Sequence, residues 1–283
     1  MKHCHSAEPD MSFRRLMAAI LLTTVALSAC ASADPGTLLG KAASGNLTIG
    51  IRFDQPGLAE HTLDGRFVGF DVDVATYVAR RLGVKPSNIT WRETTPDTRE
   101  TDLTSGTVDL VVAAYSITDQ RKQLVAFAGP YFVTGQDLLV RKADPTITGP
   151  SSLDGRRLCS VPGSTAAQTV KDRFAHGVQL VEYPRYPDCV TALLAGEIDA
   201  VTTDGVILAG YVAQNPELLR LTGQPFTTER YGIGLRKGDP ASQSALGNAI
   251  QRMIDSGAWQ DSVRRNIGPS GYPLPEPPTV TER

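Results

Sequence analysis

Ser116 and Arg121 stand just beyond the apolar run Asp109-Leu110-Val111-Val112. That run reads as a buried strand, short and β-branched with no helical period. At its end the chain offers a hydroxyl at Ser116, a helix N-cap at Thr118 and a guanidinium at Arg121. An arginine on a helix start suits a carboxylate. Its planar fork donates two parallel hydrogen bonds, and the unpaired N–H groups of the first turn favour an anion. The same residues also read as a capped helix carrying a solvated arginine, so other strand ends must decide. Arg52 follows the first strand, Ser164 and Thr165 open a helix after a later one, and Asp204 closes the run Ala200-Val201-Thr202-Thr203. Two guanidiniums, several hydroxyls and one carboxylate suit a ligand with two carboxylates and one ammonium. Each group has a plainer reading: a rim ion pair for Arg52, a helix cap for Ser164-Thr165, an N-cap for Asp204.

The elements that position these groups alternate. Leu47–Ile51 is a strand, Leu63-Asp64-Gly65-Arg66-Phe67 carries a hairpin signal, and a helix from about Val72 ends at Gly83. Its Ala75, Val78, Ala79 and Leu82 form one apolar stripe. Ile89–Trp91 is a strand, and Thr98–Ser105 a short helix closed by Gly106. Beyond Tyr131 the pattern restarts: strands at Gln136–Arg141, Arg157–Val161, Gln179–Tyr183 and Ala200–Asp204 are interleaved with helices ending near Phe174, Gly196 and Asn215. A last strand, Tyr231–Leu235, precedes helices over Pro240–Ser256 and Ala258–Ile267. Such alternation implies βαβ units and parallel sheets. The predicted organisation is two α/β lobes, 46–135 plus 230–268 and 136–229, joined by two strand crossings near Thr134–Leu139 and Phe226–Tyr231. Ligands of such sheets lie beyond the strand C-termini and between lobes. Trp91 and Trp259 are expected in the core, and residues 269–283, rich in proline, form an extended tail.

A formal net charge of -2 with 41% apolar and 20% charged residues describes an ordinary globular chain and excludes the basic excess of a nucleic-acid binder. With four histidines, two of them before Cys30, no metal-ligand cluster is visible and no cofactor is expected. Arg14 and Arg15 precede an apolar stretch, Leu16–Leu27, too short to span a bilayer. Residues 1–30 thus read as a signal peptide, with Met11 as the expected start. Leu27-Ser28-Ala29-Cys30 resembles the lipobox of bacterial lipoproteins, which implies lipidation at Cys30; a plain secretory signal is the alternative. Residues 31–45 are small and polar, a flexible tether with a reach of about 20 Å. In an exported chain Cys159 and Cys189 are a disulfide candidate worth roughly 3.6 kcal/mol by loop closure, or else two buried thiols.

Gly69-Phe70-Asp71-Val72-Asp73-Val74, Ser116-Ile117-Thr118-Asp119-Gln120-Arg121 and Asp199-Ala200-Val201-Thr202-Thr203-Asp204 resemble, in order, the signatures of family 3 extracellular solute-binding proteins. Phe53-Asp54-Gln55-Pro56-Gly57, the Cys159/Cys189 pair and Thr202-Thr203-Asp204 are most similar to the actinobacterial glutamate-binding lipoproteins. The resemblance implies a two-lobed periplasmic-binding-protein-like fold of type II and no catalysis. It further implies a monomer, lipid-anchored on the outer face of the cytoplasmic membrane, that passes L-glutamate or L-aspartate to an ABC permease and its ATPase. Under it Arg121, Ser116 and the backbone around Ala114 hold the α-carboxylate, Asp204 takes the ammonium, Ser164 and Thr165 add donors from the second lobe, and Arg52 pairs with the side-chain carboxylate. Ala113-Ala114-Tyr115 departs from a stretch often glycine-bearing in relatives, and Tyr186 lies where relatives can place a ligand-facing group. A sensor acting through a membrane partner, or a dehydratase on the same fold, are the rival readings.

Overall fold

The strand-like runs of the sequence assemble into two separate five-stranded sheets. A computed structural model describes Met1 and residues 34–283; the signal peptide and Cys30 lie outside the described residues. A short helix α1 (Leu38–Ala43) leads to β1 (Leu47–Ile51), then β2 (Asp54–Gln55), β3 (Ala59–His61) and β4 (Phe67–Val68), which form a small antiparallel sheet of their own. Next come α2 (Phe70–Arg81), β5 (Ile89–Glu93), α3 (Arg99–Ser105), β6 (Leu110–Val111), α4 (Asp119–Leu124) and β7 (Ala126–Thr134). The second lobe holds β8 (Gln136–Arg141), β9 (Arg157–Ser160), α5 (Ala166–Arg173), β10 (Gln179–Glu182), α6 (Tyr186–Ala195), β11 (Ala200–Asp204), α7 (Gly205–Gln214) and β12 (Leu219–Leu221). The chain returns with β13 (Glu229–Leu235), α8 (Pro240–Asp255) and α9 (Ala258–Asn266).

The sheet orders are β5-β1-β6-β13-β7 and β10-β9-β11-β8-β12. In each, the βαβ strands run parallel, and one strand, β13 in the first sheet and β8 in the second, runs antiparallel to both its neighbours. This topology puts the C-terminal ends of β1, β6, β9 and β11 at the facing sides of the two lobes, which is where the candidate groups sit. The chain passes between lobes at Gly135 and again over residues 222–228. The two passages lie side by side, with the Gln136 N–H donating to Thr227 Oγ1 and the Phe226 N–H to the Gln136 carbonyl. A disulfide joins Cys159 to Cys189 and so ties β9 to α6 within the second lobe. Trp259 is buried against Phe70 and Phe132 and donates its indole N–H to the Tyr131 carbonyl. Trp91, expected in the core, is only half-buried, its ring tilted against Phe67 of the small sheet.

Three expectations are corrected. The segment read as a tether is partly helical from Leu38: Thr37 caps α1, Leu38 and Ala42 are buried, and the Leu38 and Leu39 N–H groups donate to Asp239 and Ser242 at the start of α8. Polar composition signalled a linker, but two apolar residues four apart suffice to seat one helical turn. The nine-residue strand β7 stands where the sequence reading places no element, and it runs through Gly129-Pro130. That dipeptide is tolerated there because β7 is outermost in its sheet and the register slips opposite Gly232. The third correction concerns residues 269–283, which fold back onto the first lobe. Tyr272 shares a hydrogen bond with Thr134 at the crossing, Val280 is buried, and Thr281 and Glu282 donate to the Gly129 carbonyl. Lys122 pairs with Glu282. Val280→Ala is therefore expected to cost about 1–2 kcal/mol and lower Tm by roughly 2–6 °C. An unchanged melting curve would mean that the tail is not seated in solution.

Candidate functional site

Between the lobes lies a cleft of about 450 Å³ whose wall includes Arg52, Ala114, Ser116, Arg121, Ser164, Thr165 and Asp204, the seven candidate binding residues from the sequence. Arg99, Gln136, Tyr186 and Glu229 complete much of the rest. The lobes meet around it. Tyr211 of α7 donates to the Asp54 carbonyl at 2.6 Å, Arg185 pairs with Glu93 at 2.8 Å, and the Tyr231 hydroxyl donates across the cleft to Asp204. Two glycines of the second lobe make close approaches to the first: a Cβ on Gly210 would lie 2.4 Å from the Pro56 carbonyl oxygen, and Gly163 is nearly as tight. It has φ +73°, and a Cβ there would lie 2.5 Å from the Asp97 backbone nitrogen, so a side chain would hold the lobes apart.

Arg121 is buried, which removes the solvated-arginine alternative. Its amide donates to the Thr118 hydroxyl as a helix cap. The guanidinium donates to the Ser116 carbonyl at 2.9 Å and reaches the Gly163 carbonyl of the other lobe at 3.5 Å, with Glu100 3.5 Å from its Nε. The hydroxyls of Ser116 and Thr165 make no hydrogen bond to any described residue. Ser164 accepts from Tyr186 at 3.3 Å and from the Ala166 N–H, so it caps and faces the cleft at once. Asp204 precedes α7 but makes no capping bond. Its carboxylate points instead to Tyr231, and burial followed by the nearby charge of Glu229 pushes it up to about 7, opposed by the Tyr231 hydroxyl and Arg121.

Arg52 differs from its expected role. It is buried at the cleft wall, but its Nε and Nη2 donate to Asp54 at 3.0 and 2.8 Å, leaving only Nη1, itself 3.5 Å from the Thr94 carbonyl. Neither a rim pair nor a free carboxylate receptor describes it. It is a buried ion pair whose partner lies two residues on.

Sequence reasoning missed Arg99. It opens α3 beyond the C-terminal end of β5, the same strand-end position that singled out Arg52. Arg99 is 4% exposed, its Nε has no hydrogen-bond partner, and its Cζ lies 4.0 Å over the Tyr115 ring. Arg121 lies 5.3 Å over the same ring, whose hydroxyl donates to Glu100. Burial, then the charge of Arg121, lowers Arg99 to about 9, so it stays cationic at neutral pH. Tyr186, named only through the resemblance, is buried at the cleft wall.

The cleft thus offers two guanidiniums close to one tyrosine ring, a carboxylate from the other lobe and unpaired hydroxyls between. This is a set of groups that suits a charged ligand.

The sequence profile of bacterial extracellular solute-binding proteins, family 3, matches residues 47–269. The glutamate-binding protein GluB of Corynebacterium efficiens is 43% identical over 270 residues, covering 90% of this chain and 92% of that protein. The glutamine-binding protein GlnH of Bacillus subtilis is 34% identical over 72% of this chain and 74% of its own length. Among solved structures, an ancestral arginine-binding protein bound to arginine superposes with a TM-score of 0.74 at 32% identity, covering 79% of this chain and 99% of that one.

A carboxyl raised by burial destabilises the fold wherever it is ionised. An unfolded aspartate titrates near ~4, so the cost of Asp204 is fully present above pH 7 and vanishes below about pH 4. Ligand-free Asp204→Asn should therefore melt higher than the native protein at pH 8, with the difference shrinking toward pH 4. A lower Tm at pH 8 would contradict the buried, unpaired state of this carboxylate.

Proposed function

This chain belongs to the bacterial extracellular solute-binding proteins of family 3, the amino-acid receptors of ABC importers, and we propose that its ligand is L-glutamate, with L-aspartate as a second substrate. The observation that carries the reading is the pair of buried guanidiniums, Arg99 and Arg121, close to the Tyr115 ring. A ligand with one carboxylate needs one of them. The second is left with an Nε that makes no hydrogen bond and has only the Glu100 carboxylate 3.9 Å away, shared with Arg121, so a side-chain carboxylate of the ligand satisfies it. The named ligands of the relatives share the α-amino-acid group and differ in the side chain, which fits a common zwitterion subsite with a variable end. Glutamate binding by the more similar GluB supports an acidic side chain.

In this reading Arg121 and the Ser116 hydroxyl hold the α-carboxylate, Asp204 takes the ammonium as its ionised form, and Thr165 with Ser164 adds donors from the second lobe. Arg99 reads the side-chain carboxylate, and Arg52, neutralised by Asp54, supports it from behind with its remaining nitrogen. Lobe contacts such as Arg121 to Gly163 form only on closure, so ligand that bridges the lobes shifts the population to the closed form. Lipidation at Cys30 would place the receptor beside its permease, on the outer face of the cytoplasmic membrane, as a monomer.

A thermal-shift panel of the twenty amino acids tests the substrate: stabilisation is expected from Glu and Asp, and a response to Arg but not to Glu would overturn the proposal. In calorimetry, Arg121→Ala should weaken L-glutamate by at least 100-fold, within the 2–5 kcal/mol typical of leaving a buried charge unpaired. Arg99→Met should weaken L-glutamate tenfold or more relative to its effect on L-glutamine. Equal losses for the two ligands would remove Arg99 from side-chain recognition.

A further inference from the structure

Asp71 is a buried carboxylate that does not itself line the cleft, yet it grips backbone that does. It lies in the first turn of α2 with no exposed surface. One oxygen accepts the Ala114 N–H at 2.8 Å, and the other accepts the Tyr131 hydroxyl at 2.9 Å. Ala114 has φ +47°, the only positive φ at a non-glycine among the described residues. In that region the Cβ crowds the backbone carbonyl, so alanine occupies it only when its surroundings impose it.

Those surroundings are identifiable. Ala114 sits at the bend between the end of β6 and Ser116, which is bridged to Tyr231. The bend brings Ala113, Ala114 and Ser116 to the cleft wall. The chain before it is fixed by β6, and the chain after it by the Ile117 N–H to the Arg230 carbonyl. The Tyr115 carbonyl accepts from the Gly232 N–H, and the Asp71 bond is the one that holds the Ala114 amide. Relaxation of Ala114 toward negative φ would rotate both flanking peptides and strain the bridge that seats Ser116.

From this geometry we infer that Asp71 is a positioning residue for amino-acid recognition: it holds Ala114 in the left-handed conformation and thereby sets the cleft-facing backbone and the Ser116 hydroxyl. The inference rests on the amino-acid-binding reading of the cleft. It also explains how alanine serves at a place where the family often has glycine, which needs no such restraint.

A double-mutant cycle on the full chain tests it, with L-glutamate calorimetry and ligand-free urea unfolding as separate readouts. Asp71→Ala should weaken L-glutamate at least tenfold, and the same substitution in an Ala114→Gly background less than threefold, because glycine adopts the bend unaided. Equal penalties in the two backgrounds would overturn the inference, since a purely structural role for Asp71 would not depend on residue 114. If Asp71→Ala fails to fold, Asp71→Asn replaces it, with exchange of the Ala114 amide measured by NMR. At least tenfold faster exchange supports the role, and unchanged exchange refutes it. Should the native protein not bind L-glutamate, the substrate assignment falls by itself. The unfolding cycle then decides the positioning role, through coupling or its absence between residues 71 and 114.

Discussion

Arg99 and Arg121, both buried, lie close to one tyrosine ring at the cleft wall. Like charges so placed repel, and the interior screens them poorly. Tyr115 offers both a negative π face, and its hydroxyl orients Glu100 toward the pair, so the repulsion is moderated from behind and left open in front. On the opposite lobe Asp204 carries the complementary problem, a carboxylate raised by burial and by Glu229. Each lobe thus holds charge that is costly alone. A ligand bearing anions toward one lobe and a cation toward the other relieves both at once. The electrostatics of the empty cleft and the drive to close on a zwitterion are the same fact.

Everything else in the fold keeps these charges in place. Parallel βαβ packing delivers strand ends to one side of each sheet, so that residues far apart in sequence converge with few loop residues to order. The two crossings lie side by side and are hydrogen-bonded to each other. Small residues decide how near the lobes come, Gly163 and Gly210 among them, while Tyr211 and Arg185 fasten the rim by bonds that no ligand need supply.

The β–α alternation, the helix ends at Gly106 and Gly196, and the strand-end residues Ser116, Arg121 and Asp204 were legible because each depends on local pattern: periodicity, an achiral stop, a polar group closing an apolar run. What escaped depended on tertiary partners. Arg99 carries no marker beyond its position, since its importance comes from Tyr115, a neighbour reached only when β6 and α3 pack. Arg52 looked available because its bond to Asp54 depends on how the loop after β1 turns. Gly129-Pro130 lies inside β7, where an outermost position forgives a missing N–H. Ala114 was noticed as a departure from glycine, but its left-handed backbone and its restraint by Asp71 belong to the folded molecule.

The returning C-terminal segment has a consequence for association. The outer side of β7 is an edge, and an exposed edge is a template on which a strand of another molecule can add. Here the chain's own end occupies part of it, through the paired bonds of Gly129 with Glu282. The stretch that leads there, Pro273-Leu274-Pro275-Glu276-Pro277-Pro278, has too few N–H groups to extend a sheet further. The family match stops at residue 269, before any of this. Residues beyond the shared domain therefore cover part of the edge on which another strand could add.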